Sequence, residues 1–176
     1  RVVGGRAMRK NNHELTRGLV DPLRDHPVIA RERPGRGYRH VLGQRDVRDF
    51  LEILPASQEL CRGLSAIVLS PGNPHIDGRH RDGIIELCAW EVELVREHSE
   101  EHYEEHRDVF ERLAVPCEPS DAGWVLCRFD ERSARAFQLL HVLLHELGHH
   151  HDRMTTRAQK HTARGEAYAE AFARER

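Results

Sequence analysis

The feature that most constrains this chain is the segment His145-Glu146-Leu147-Gly148-His149, which lies in an apolar run with helical periodicity. On a helix, residues four positions apart lie on the same face, about 5–6 Å apart at Cβ. His145 and His149 can therefore bind one divalent metal between their imidazoles. Glu146 follows the first histidine directly and can reach a water molecule held on that metal. The pattern predicts a metal-dependent hydrolytic site.

A hydrolytic zinc site usually has three protein ligands, so a third ligand is needed. The segment 165–173 predicts an amphipathic helix on which Glu166 and Glu170 share a face. We expect Glu166 to be the ligand and Glu170 to accept the outer N–H of a ligand imidazole. The reverse order is possible, and His161 is a third alternative. Two imidazoles and one carboxylate favour Zn²⁺ as the cofactor.

The predicted activity is zinc-dependent hydrolysis of peptide bonds. Zinc would lower the pKa of its bound water and polarise the substrate carbonyl, and Glu146 would take up the proton and pass it to the leaving amine. The expected partner is a peptide or protein substrate. The alternative is a non-catalytic module in which zinc joins two helices and the surface binds a protein or has a regulatory role.

These residues resemble a known group of enzymes. His145 to His149, followed by Glu166, Ala169 and Phe172-Ala173, is similar to the metal-binding core of the ImmA/IrrE-like zinc metallopeptidases and, more broadly, of the gluzincins. The resemblance covers residues 123–173. It implies a small zincin-like fold with a short sheet packed on the motif helix, whose edge strand binds an extended peptide. We expect residues 123–129 to be that edge strand. Tyr168 departs from the pattern, which often has an acid there.

The order of predicted elements indicates an α+β class, with a three-stranded or larger sheet packed on the motif helix. Residues 1–45 predict an irregular basic arm, and residues 46–176 the zincin-like domain. The expected elements are helices at 12–19, 46–54, 57–64 and 91–113, strands at 65–70, 83–90 and 123–129, a motif helix opening at Asp130, and a last helix at 162–174.

The remaining histidines are expected to lie outside the metal site. His98, His102 and His106 have helical spacing, but their neighbours are charged, which predicts a solvated face. We expect His141 to be packed or to support a ligand. We expect His150 and His151 to make surface or interhelix contacts.

Composition limits the other possibilities. The four cysteines form no Cys-x-x-Cys pair, so we expect reduced, buried thiols and a cytoplasmic location. The sequence has no run of 18 apolar residues, which argues against a membrane partner. Lys and Arg are in excess near the start, but no nucleic-acid-binding motif accompanies them, so the sequence argues against a nucleic-acid partner.

Overall fold

The computed structural model describes residues 26–120, 123–156 and 164–176, together with the backbone of two short paired strands near the start. The helix predicted at 12–19 and the candidate ligand His161 lie outside the described residues. The strands are β1 (Val2–Val3), β2 (Arg6–Ala7), β3 (Val28–Arg31), β4 (Tyr38–Arg39), β5 (Ala66–Ser70), β6 (Gly78–Arg81), β7 (Ile84–Cys88), β8 (Trp90–Glu91), β9 (Val95–Ser99), β10 (Cys117–Ser120) and β11 (Trp124–Arg128).

The helices confirm a mixed α+β class. They are α1 (Gln44–Ile53), α2 (Ser57–Leu60), α3 (Glu100–Arg112), α4 (Glu131–Phe137), a π-helical segment (Gln138–Leu143), α5 (Leu144–Thr155) and α6 (Gly165–Arg174). The motif lies in α5. As predicted, the helical run that contains it opens at Asp130, whose side chain accepts a hydrogen bond from the Ser133 backbone. Among the described residues, no helix is both long enough and apolar enough to cross a membrane.

A four-stranded sheet in the order β3-β5-β7-β6 forms the centre of the fold. β5 runs parallel to both of its neighbours, and β6 runs antiparallel to β7. Side chains alternate between the two faces of a strand. Ile67 and Ile85 accordingly enter the main core, whereas Ala66 and Ile84 form a smaller cluster. Because β3 begins at Val28, the packed domain includes part of the segment predicted to be an arm.

The strand β6 was not predicted as such, and it forms the edge of this sheet. A two-residue turn joins β6 to β7, with Arg81 paired to Ile84. Asp82 and Gly83 both have positive φ, of 52° and 75°, which is the backbone of the tight hairpin turns that Asp-Gly favours. Among the described strands, β6 pairs with β7 alone, and it packs beside α5. The sheet therefore presents its edge to the motif helix.

A second sheet, in the order β10-β11-β9, corrects two predictions. The long helix expected at 91–113 is wrong: β8 and β9 occupy its first part, and the helix α3 begins only at Glu100, where Ser99 caps it. The edge strand expected at 123–129 is also wrong, because β11 lies between β10 and β9 with antiparallel neighbours on both sides. High charge is compatible with both conformations, and pairing with β11 selects the strand.

The cysteines divide into two kinds. Cys117 and Cys127 lie directly opposite each other in β10 and β11 and form a disulfide, so the prediction of reduced thiols is wrong for this pair. Cys61 and Cys88 are buried and free, as predicted. The pairing follows from strand register, which the spacing of cysteines in the sequence does not reveal.

Candidate metal centre

The helices α5 and α6 pack against each other at very close range, and this contact positions the site. A Cβ built on Gly148 would lie 2.8 Å from Ala169 Cα and 3.2 Å from Ala169 O. Only glycine permits this approach, since a side chain would meet backbone atoms. The contact brings the carboxylates of α6 onto the histidine face of α5.

Three predicted ligands converge at one point. His145 Nε2 lies 3.1 Å from His149 Nε2 and 3.1 Å from Glu166 Oε2. The third side of the triangle, from His149 Nε2 to Glu166 Oε2, is 3.3 Å. Tetrahedral zinc with bonds of about 2.0–2.1 Å places its ligand atoms roughly 3.3–3.4 Å apart. The three atoms therefore fit one zinc ion with adjustments of a few tenths of an ångström.

Glu170 contacts the outer nitrogen of the first histidine. Its Oε2 lies 3.3 Å from His145 Nδ1, on the side of the ring away from Nε2. Burial opposes the charged form of His145, but the Glu170 hydrogen bond and the carboxylates of Glu146 and Glu166 outweigh burial and raise the pKa of His145. A carboxylate in this position fixes the ring orientation and makes the other nitrogen a better metal ligand.

His149 lacks such support. Burial, followed by the nearby charge of His145, lowers the pKa of His149, which favours the neutral imidazole that a metal requires. Its Nδ1 is buried and has no hydrogen-bond partner among the residues that the structure describes. The two candidate histidine ligands therefore differ in how firmly their rings are held.

Glu146 is placed to act as a base. It is only 7% exposed and faces the same cleft as the three candidate ligands. The volume of this cleft is about 1180 Å³. Burial raises the pKa of Glu146 to about 7, although the charge of His145 opposes this shift. A carboxyl group with a pKa near neutrality can both accept and return a proton.

The edge strand β6 forms one wall of this cleft beside Glu146. A Cβ on Gly78 would lie 3.0 Å from Glu146 Oε1 and 2.7 Å from Val142 Cγ1. The backbone amide of His80 favours the charged form of the Glu146 carboxyl group by hydrogen bonding. Sequence reasoning missed both residues, although the Asp-Gly pair at 82–83 indicated a hairpin whose first strand would contain them.

The other histidines correct the prediction of a solvated face. His98 belongs to β9, whereas His102 and His106 lie on α3, and His106 is buried. His102 and His106 line the cleft together with His141. The charged neighbours of these residues concealed this role, which the contacts of His106 with His141 and Glu170 reveal.

The last two histidines of the motif helix make structural contacts. His151 Nδ1 lies 2.6 Å from the Tyr168 hydroxyl, which is the interhelix contact that was predicted. His150 is buried rather than at the surface, and its ring contacts His80 and the Arg62 carbonyl. Neither belongs to the ligand triangle.

No family model, curated protein or solved structure matches this chain. The geometry of the site itself therefore indicates the function.

Proposed function

We propose that this protein is a zinc-dependent metallopeptidase that hydrolyses peptide bonds with water activated by Glu146. The observation that carries the proposal is the triangle of His145, His149 and Glu166 ligand atoms, with sides of 3.1–3.3 Å, in the cleft that contains Glu146. The arrangement supports the predicted resemblance to the gluzincins and a zincin-like fold. Both remain part of the proposal.

His145, His149 and Glu166 would hold the ion, and Glu170 would keep the His145 ring in place. Zinc bound there would polarise the substrate carbonyl and acidify a water molecule. Glu146 would take the proton from that water and deliver it to the nitrogen of the departing amine. Burial raises the pKa of Glu146, which favours its acting as a proton carrier.

The substrate would bind as an extended peptide along β6. This strand is the edge of the central sheet, so backbone groups on its outer side can pair with another strand. Main-chain pairing would place the peptide carbonyl beside Glu146 without demanding a particular side chain. The edge strand inferred from the resemblance, residues 123–129, is already paired on both sides and cannot do this.

The cytoplasmic location predicted from composition stays a prediction. The Cys117–Cys127 disulfide is a kind of bond that persists mainly in oxidising compartments. Measuring free thiols in protein isolated from its source would decide between a cytoplasmic location and an oxidising compartment.

The test is the Glu146→Gln variant with zinc loaded, assayed on unfolded casein and on a quenched fluorescent peptide mixture. Loss of a general base reduces the rate by about 10²–10⁴-fold, so we expect hydrolysis to fall by that factor while zinc content is unchanged. Glu105→Gln is the matched control, because Glu105 is exposed and lines the same cleft.

The competing function is a non-catalytic module in which zinc joins α5 and α6. It is favoured if the zinc-loaded parent protein hydrolyses neither substrate. Equal activity of parent and Glu146→Gln would also contradict the proposal, since the metal alone would then be sufficient.

A further inference from the structure

A second cluster of metal-binding side chains lies in the same cleft. His106, His141 and Glu170 each offer a ligand atom, and these atoms lie within 4.8 Å of one another. His106 Nε2 is 3.3 Å from Glu170 Oε1. The residues come from three separate elements, α3, the π-helical segment and α6.

The orientation of His106 suits a metal ligand. Its Nδ1 lies 2.8 Å from the carbonyl oxygen of His102. A carbonyl can only accept, so Nδ1 donates the hydrogen bond and a neutral ring has its lone pair on Nε2, facing Glu170. Ligand histidines are commonly held in this way by a backbone carbonyl.

His141 is the observation that points most directly to a missing ligand. It is only 9% exposed, and its ring nitrogens form no hydrogen bond to any residue in the described part of the chain. Its ring packs beside the rings of Phe137, His106 and His145. His141 also lies in a π-helical segment, a feature frequent at functional sites.

We propose that His106, His141 and Glu170 form a second binding site for a divalent cation of the zinc class. Two imidazoles and a carboxylate are the donor set that this class prefers. The site shares no ligand atom with the first one. Glu170 would use Oε1 for the second ion, while Oε2 remains beside His145 Nδ1.

Arg174 opposes cation binding at this site and so provides a sharp test. Its Nε lies 3.1 Å from the same Glu170 Oε1, where it places a positive charge next to the proposed ion. The Arg174 side chain is 39% exposed, so its replacement is compatible with folding. Removal of this charge should strengthen binding at the second site.

The experiment is a titration of the full chain with Zn²⁺, repeated with Co²⁺. We count the metal ions per chain that remain bound after dialysis against a weak chelator. The parent protein should bind two, and His141→Gln and His149→Gln should each bind one. Arg174→Gln should bind two metal ions, and the dissociation constant of the more weakly bound ion should fall several-fold. Glu170 is left intact because its loss would disturb both sites.

The second site is overturned if the parent protein retains a single equivalent, or if His141→Gln still retains two. If His141→Gln does not fold, His149→Gln and Arg174→Gln decide. The site is also refuted if His149→Gln retains no metal ion. The same holds if the dissociation constant of the more weakly bound ion is unchanged in Arg174→Gln. This result is independent of the proposed function, because His149→Gln should retain its equivalent whether or not the parent protein cleaves peptides.

Discussion

Replacement of Gly148 by alanine tests the close packing on which the candidate metal centre depends. The new Cβ would lie 2.8 Å from Ala169 Cα and 3.1 Å from Phe172 Cβ, where ordinary contact begins at 3.4 Å. Since Ala169 Cα and O are backbone atoms, they cannot rotate away. The helices α5 and α6 must therefore separate by about 0.6 Å, the difference between the contact distance and the 2.8 Å approach, as in other overpacked cores.

The expected change in stability is the difference between two effects. Overpacking costs about 1–3 kcal/mol, and rigid backbone contacts place this case in the upper half of that range. Alanine in a helix interior gains about 1 kcal/mol over glycine. We therefore expect Gly148→Ala to lower the free energy of unfolding by about 1–2 kcal/mol, and to weaken zinc binding because Glu166 moves away with α6.

The assay is urea unfolding monitored by circular dichroism, first in the presence of a metal chelator and then in the presence of Zn²⁺. Ala167→Gly, at an exposed position on α6, is the control that measures helix propensity without packing. It should lose about 1 kcal/mol. Two results would contradict this expectation. One is that Gly148→Ala is more stable than the parent protein by about 1 kcal/mol, the difference in helix propensity between alanine and glycine. The other is that Gly148→Ala binds zinc with unchanged affinity.

Two further substitutions probe the surroundings of the site. Gly78→Ala would press on Glu146 and Val142, so peptide hydrolysis should fall at least several-fold with zinc content unchanged; full activity would contradict the placement of β6. Asp152→Asn should cost about 1.5–3 kcal/mol at pH 7 in chelator, because buried Asp152 accepts bonds from the backbone and guanidinium of Arg164. Burial opposes this charge, but those bonds lower the pKa of Asp152. Its stabilisation should therefore persist above about pH 4 and shrink as the pH falls further, and a difference between the two proteins that grows in acid would be the contrary result.

The main site was accessible to sequence reasoning because its parts are local. His145 and His149 lie on one helix, whose geometry places them together whatever the rest of the chain does. The spacing of Glu166 and Glu170 likewise put both on one face of α6. That this face meets His145 was inferred from the need for a third ligand, and the structure places Glu166 Oε2 3.1 Å from His145 Nε2.

The errors concern contacts between distant segments. The charged segment 91–113 has a composition compatible with helix or strand, and the pairing of β9 with β11 determines the outcome. The same pairing makes β11 an interior strand. The cluster of His106, His141 and Glu170 combines residues from three elements, so no spacing in the sequence could indicate it.

The amino-acid order alone determined which side chains share a helix face, and hence the identity of the first two candidate ligands and the candidate base. Only the tertiary structure decided which strand borders the cleft, which cysteines pair and which histidines turn inward. The physical reason is that helical geometry acts over four residues. Strand order and helix packing instead depend on the burial of apolar surface across the whole chain.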